Sequence, residues 1–273
     1  MPFIEVNDLS AEPLRVYTAL NEAQLLHYSE PREGLFIAET RKVVRRALDC
    51  GYVPQSMLVE RTFVERYEPI LDFCVDIPVY FCETEILRNI TGYNLNEGFL
   101  CAMRRKKLPA PAEICRNAKR IAVMESVVNP ANIGAIFRSA AAMGIEAVLL
   151  TPGCCDPLYR RAIRVSMGNV FLVPWTYIAD SERDWRERGV ELLHELGFRT
   201  AAMALCENTL DIRDPRLRAE ERLAVLLGTE GEGLCSETIQ STDYTVKIPM
   251  TAGVDSLNVA AASAVAFWEL AMR

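Results

Sequence analysis

The stretch LLGTEGEGL, Leu226 to Leu234, reads as a buried strand running into a turn in which Gly228, Gly231 and Gly233 are interleaved with Thr229, Glu230 and Glu232. Glycine turns behind strands are where α/β proteins cradle phosphates. This one holds two carboxylates and no lysine or arginine, and its order, G-x-x-G-x-G, is neither the phosphate-loop nor the dinucleotide pattern. The loop suits a cation better than a phosphate.

Adenosylmethionine is such a ligand: it has no phosphate, its sulfonium tolerates nearby carboxylates, and glycines let the backbone approach its flat parts. A glycine turn that holds nothing is the plainer alternative. Two further stretches carry polar residues at places that capping alone explains incompletely. In NPANIGAIFRSAAAMG, Asn129 to Gly144, Asn129 can cap a helix opened by Pro130, with Ile133, Ile136, Phe137 and Ala140 as its apolar stripe and Asn132 and Arg138 off it. On these residues alone a capped helix with one solvated arginine serves equally. In IPMTAGVDSLNVAAASAVAFWEL, Ile248 to Leu270, a strand ends at Pro249 and a helix begins with Ser256 or Asp255 as cap candidates. That helix is apolar on nearly every side through Phe267, which predicts burial and leaves Ser256 and Asn258 at the edge of a core.

The elements that must hold these stretches follow from periodicity. The second half reads as strand RIAVMESV, a helix to Gly144, strand EAVLL, a helix near 157–166, strand VFLVPW, a helix over 182–196, strands TAAMAL, LAVLLG and YTVKIPM, and a last helix from about Ser256. Strands apolar throughout, alternating with helices, predict a mostly parallel sheet covered on both faces. From Gly34 to Met103 a smaller α/β unit is expected, with strands SMLVE, IPVYF and GFLCAM separated by helical RTFVERYEPILDF and ETEILRNITG. Its helix in GLFIAETRKVVRRALDCGY sets Val43, Val44, Ala47 and Leu48 against Arg41, Lys42, Arg45 and Arg46, with Gly51 as the stop. Residues 104–117 break the pattern with a charge run and two prolines and mark the boundary between domains at 1–107 and 108–273.

Composition narrows the class. The 273 residues, half of them hydrophobic, suffice for two ordinary domains, no apolar run approaches a membrane span, and the N-terminus lacks the pattern of a signal peptide, so a cytoplasmic protein with no membrane partner is expected. The nine cysteines form no C-x-x-C pair, so no metal site is signalled and reduced, mostly buried thiols are expected. A net charge of −7 argues against a nucleic-acid partner, but between Arg104 and Arg120 seven cations face Glu113 alone. A solvated linker and an RNA-binding patch both fit that run.

Taken together, NIGAIFR, LLGTEGEGL and IPM followed by SLNVAAA resemble, in order and spacing, the motifs of the SpoU-type (TrmH-like) RNA ribose 2′-O-methyltransferases of the SPOUT superfamily. GLFIAETRKVVRRAL and ITGYNLNEG resemble that family's ribosomal-protein-like RNA-binding domain. The resemblance implies an α/β protein: a trefoil-knotted methyltransferase domain with a parallel sheet, plus a small N-terminal α/β RNA-binding domain. It implies S-adenosylmethionine held by main-chain groups at Gly228, Ile248 and Leu257, with Thr229, Gly231 and Met250 beside them. It assigns catalysis to Arg138, with Asn132, Glu230, Ser256 and Asn258 shaping the pocket, and it implies a homodimer with the active site near the subunit interface.

A guanidinium stays protonated to about pH 12, so for Arg138 stabilising a developing alkoxide and orienting the neighbouring phosphate stand beside the role of base. RNA contact is expected at Arg41, Arg45, Arg104, Arg105, Lys106 and Lys107, and the extra N-terminal domain favours ribosomal over transfer RNA. The sequence departs from the family at Asn94 and Asn96, where relatives often carry histidine, and at Ala260, where serine is frequent. Two other readings stay open: a non-catalytic RNA-binding or assembly factor, against which intact Asn132, Arg138, Glu230 and Asn258 speak, and a nucleotide-dependent oxidoreductase, whose G-x-G-x-x-G is missing.

Overall fold

The computed structural model describes residues 3–8, 10–28, 34–66, 77–91, 98–206, 208–251 and 256–271. Asn94, Asn96 and Asp255 lie outside them, as do residues 67–76 of the expected helix RTFVERYEPILDF. Contacts divide the chain into two compact units, Met1–Lys107 with Leu158–Phe171, and Leu108–Pro157 with Leu172–Arg273.

The first unit is built on a five-stranded mixed sheet. Its strands are β1 (Phe3–Glu5), β2 (Leu35–Glu39), β3 (Val53–Glu60), β4 (Val79–Cys82) and β5 (Phe99–Arg104), in the order β1-β4-β3-β5-β2. β4 runs parallel to β1 and β3, while β5 runs antiparallel to β2 and β3. The described helices are α1 (Arg15–Thr18), α2 (Glu22–Leu26), α3 (Arg41–Asp49), α4 (Arg61–Arg66) and α5 (Thr84–Thr91). Helix α3 buries Val43, Val44 and Ala47 and exposes Arg41, Lys42 and Arg45, as its periodicity requires.

The second unit carries a seven-stranded parallel sheet. Its strands are β6 (Arg120–Met124), β7 (Ala147–Leu150), β8 (Trp175–Tyr177), β9 (Arg199–Met203), β10 (Leu210–Asp211), β11 (Leu223–Leu227) and β12 (Tyr244–Lys247), in the order β10-β12-β9-β11-β6-β7-β8. Its helices are α6 (Pro111–Cys115), α7 (Pro130–Ala142), α9 (Glu182–Glu195), α10 (Pro215–Ala219), α11 (Ser236–Ser241) and α12 (Val259–Leu270). Ile121, Val123, Leu149, Ala224 and Leu226 join Trp185, Val190 and Leu193 of α9 in one core. By the two-residue period of a strand, Ala122, Met124, Val148, Leu150, Val225 and Leu227 face the other way, and they too are buried. Helix α12 packs on α7 and on β11.

The expected strand VFLVPW is not one. Asn169–Phe171 forms a 3₁₀ turn, and β8 starts only at Trp175. The apolar residues of this stretch find their burial elsewhere: Phe171 packs against Tyr52 and Phe36, with ring centroids 5.0 Å and 5.6 Å away. They belong with helix α8 (Arg160–Val165) to the segment that joins the first unit. Burial of α12 is also incomplete. Val259, Ser263, Ala266, Phe267 and Leu270 are covered, but Val265 and Trp268 are 40% and 60% exposed. Among the described residues no helix is long and apolar enough to cross a membrane, and no cluster of three or more His, Cys, Asp or Glu could hold a metal.

Candidate active site

The glycine loop is closed at its neck and open at its tip. Thr229 and Gly233 exchange backbone hydrogen bonds of 3.2 Å and 3.1 Å, folding the loop back on the end of β11. A Cβ at Gly228 would collide with the backbone of Gly233 and Leu234, so only glycine fits there. At the tip Gly231 has φ +93° with open space around it.

Both stems of the loop are held by Glu125, 4% exposed at the end of β6. Its N–H donates to Leu227 O (2.9 Å), and its Oε1 accepts from the Cys235 N–H (2.6 Å). Its Oε2 accepts from Trp185 Nε1 (2.7 Å) and Thr238 Oγ1 (2.6 Å). Among the described residues this buried carboxylate has no cation beside it and is held by three neutral donors. The sequence motifs gave no sign of this residue, whose partners lie on three different elements.

Asn258 joins the three motif stretches. Its Oδ1 accepts from the Ala260 N–H (2.9 Å), so Asn258, rather than Ser256 or Asp255, caps α12, and the helix starts at Val259. Its Nδ2 donates to Glu230 Oε1 and to Asn132 Oδ1 (3.3 Å). Asn132, off the apolar stripe of α7 like Arg138, is nonetheless buried where Arg138 is exposed. It is 7% exposed, placed in the first turn by the Asn129 cap and Pro130 and facing the cap of α12.

These elements enclose a cavity of about 550 Å³. Gly228, Thr229, Glu230, Gly231, Ile248, Met250, Ser256, Leu257 and Asn258 all line it. Asn132 reaches it only through Asn258. Arg138 is exposed, does not line the cavity, and has no hydrogen-bond or ion-pair partner among the described residues. The wall also includes Met203, Ala204 and Leu205. They follow from topology: β9 lies between β11 and β12, so the carboxyl ends of three parallel neighbours form one rim. Sequence reading found the strand but had no means of placing it between the other two. Glu230 and Glu232 outnumber Lys247 on the lining, which leaves the cavity acidic.

The residues expected to contact RNA lie in the first unit. Arg41, Arg104 and Lys107 are exposed, and Arg45 pairs with Asp49 at 2.9 Å. Arg105 Nε donates to Leu35 O (3.1 Å), and Lys106 donates to Cys50 O and stands over the Tyr52 ring at 4.6 Å. Both of these acceptors are backbone carbonyls.

Comparison with known proteins gives a consistent answer. An uncharacterised tRNA/rRNA methyltransferase of Mycobacterium bovis is 38% identical over 239 residues, 87% of this chain and 81% of that protein. A 23S rRNA (guanosine-2'-O-)-methyltransferase of Vibrio vulnificus is 31% identical over 150 residues, 54% of this chain and 56% of that one. The AdoMet-bound rRNA methyltransferase of Sinorhizobium meliloti shares the fold, with a TM-score of 0.81 at 24% identity over 98% of this chain and 97% of the other. The profile of the SpoU rRNA Methylase family matches residues 119–268, which contain the loop, its Glu125 clamp and the Asn258 junction, and the chain belongs to that family.

Proposed function

We propose that this protein transfers the methyl group of S-adenosylmethionine to a ribose 2′-hydroxyl of RNA, ribosomal RNA before transfer RNA. The observation that carries the reading is the convergence of the loop at Gly228, the strand end at Ile248 and the helix start at Leu257 on one acidic cavity. Its volume lies in the range of small-molecule sites. The names of the relatives support RNA as substrate, and that of the Vibrio vulnificus protein supports the 2′-hydroxyl and the ribosome.

The cavity fits S-adenosylmethionine. The open backbone at Gly231 admits close approach, Leu205, Met250 and Leu257 offer apolar surface, and Glu230 and Glu232 suit a positive charge. Once bound, the cofactor supplies a methyl carbon activated by its sulfonium. Main-chain groups at Gly228, Ile248 and Leu257 hold it, with Thr229, Gly231 and Met250 alongside. Asn258 ties the loop to α7 and α12 through Glu230 and Asn132, and Ser256 lines the substrate side. Arg138 orients a phosphate and stabilises negative charge developing on the 2′ oxygen.

The working form in this reading is a cytoplasmic homodimer whose methyltransferase domain adopts the trefoil-knotted threading of its superfamily. Ala261, Val265 and Trp268 fall on one exposed apolar face of α12, which a second copy would cover. Arg138 lies outside the cavity of its own chain, and association supplies it to the cavity of the other copy.

The test is transfer of labelled methyl from S-adenosylmethionine to total RNA of a strain lacking the protein, wild type against Arg138→Ala, followed by digestion to nucleosides. Label in ribose-methylated nucleosides of ribosomal RNA, absent with the variant, is the expected result. Label on a base overturns the 2′-hydroxyl chemistry, and label in transfer RNA overturns the choice of substrate.

A further inference from the structure

Residues 158–171 lie between β7 and β8 in the sequence, yet they pack into the first unit. The contact is specific. Arg46 of α3 donates through Nη1 to Met167 O (2.7 Å) and Asn169 Oδ1 (2.6 Å). A Cβ on Gly168 would stand only 3.5 Å from Val43 Cα and 3.4 Å from Arg46 Cδ, so α3 lies close against this turn. Glu39, two residues before α3 and 3% exposed, accepts a hydrogen bond from Arg160 Nε and stands 3.7 Å from Arg164 Nη1. The turn that follows α8 is thereby fixed against α3, and α8 itself against the end of β2 from which α3 departs.

Their charges are unbalanced. Helix α3 carries four cations and one ion-paired carboxylate, Asp49. Helix α8 carries Arg160, Arg161 and Arg164; Glu39 meets Arg160 and Arg164, and Glu22 accepts from the Arg160 N–H at 2.8 Å. Arg46 is locked by neutral acceptors and keeps its full charge, while Lys42 and Arg161 are exposed without an ion-pair partner among the described residues. A fixed excess of cations on a chain of net charge −7 is the footprint of a polyanion site.

We propose that α3 and α8 form one platform that grips RNA phosphates, so that a segment from within the methyltransferase sequence serves the substrate-binding unit. The proposal rests on RNA being the substrate. Arginine suits the task because its planar fork binds phosphate oxygens in pairs. Contacts of this kind fix position without reading sequence.

The test titrates a fluorescent mixed-sequence RNA stem-loop into the full-length protein over a range of salt. Wild type is compared with a Lys42→Gln/Arg161→Gln double variant and with Arg183→Gln, which removes an exposed cation from α9. The double variant is expected to bind about tenfold more weakly and to lower the slope of log affinity against log salt by about 1 to 2, with cofactor affinity unchanged. Arg183→Gln is expected to match wild type. RNA binding by the double variant at wild-type strength, or an equal loss in the Arg183 control, overturns the platform alone. A wild type that binds the cofactor but no RNA overturns the RNA reading and the platform with it.

Discussion

Cys235 and Glu125 are 110 residues apart in sequence and meet through a hydrogen bond of 2.6 Å from the Cys235 N–H to Glu125 Oε1. Since the Glu125 N–H also holds Leu227 O, one residue at the end of β6 pins the entry and the exit of the loop that lines the cavity. Loop shape is therefore set from beneath, by a residue that does not line the cavity.

Replacing Glu125 by Gln keeps the volume but turns one acceptor oxygen into a donor facing Cys235 N–H or the Trp185 and Thr238 donors. One to two buried hydrogen bonds are lost, a destabilisation of about 2 to 3 kcal/mol. If the loop holds the cofactor as proposed, KM for S-adenosylmethionine is expected to rise about tenfold while kcat changes less. Thermal unfolding and steady-state kinetics measure the two effects, and a lowered kcat at unchanged KM would contradict the assignment.

Asn258 does two separable jobs. Asn258→Ala removes both the cap and the link to Glu230 and Asn132, whereas Asn258→Ser restores a cap but cannot bridge. The alanine variant should lose about 1 kcal/mol of stability. The serine variant should recover that loss in thermal unfolding yet stay impaired in cofactor binding by calorimetry. Ser256→Ala, remote from any cap bond, should leave stability unchanged. Full recovery of cofactor binding with serine would reduce Asn258 to a helix cap.

How far the sequence speaks depends on whether the information is local. The strand ends at Leu227 and near Ile248 and the helix after Leu257 are set by apolar runs and glycines within a few residues, and their convergence on one cavity follows from positions that were legible for that reason. The rest is relational. Ser256 and Asn258 are equally good caps in isolation, and only the approach of Glu230 and Asn132 selects Asn258. Met203 to Leu205 line the cavity because β9 is inserted between β11 and β12, an order no single strand encodes. Phe171 looks like a strand residue, but its partners, Phe36 and Tyr52, lie more than a hundred positions away and draw it out of the sheet.

Acid should loosen the second unit through Asp243. Burial acts to raise its pKa, but hydrogen bonds from the Thr200 hydroxyl and N–H, the His194 ring and Arg199 outweigh it and hold the group down at about 2. A carboxyl depressed in the folded state stabilises the fold above its unfolded value, near 3.8, and the benefit disappears as pH falls through about 2. The contribution at neutral pH is about 1 to 2 kcal/mol after solvent screening. Asp243→Asn should melt below wild type at pH 7, and the two melting curves should converge toward pH 2. A gap that persists undiminished at pH 2 would mean that the asparagine is lost packing, not lost charge.

Arg138 and Trp268 test the same idea from opposite sides. If a second copy covers the exposed face of α12, Trp268→Glu places a charge in the middle of that contact. Two-fold symmetry counts each substitution twice, so a loss of about 2 kcal/mol per copy weakens dimerisation about a thousandfold. Sedimentation should then show wild type at twice the chain mass of 30.6 kDa and the variant at the chain mass. With Arg138 supplied across the interface, the monomer should also lose methyl transfer although its own Arg138 is intact. Mixing Arg138→Ala chains with chains disabled in the cofactor cavity by Gly228→Val should restore activity to mixed dimers, because one of the two sites then pairs an intact cavity with an intact arginine. No recovery on mixing, with mixed dimers confirmed by mass, would place the arginine and the cavity of a working site in the same chain.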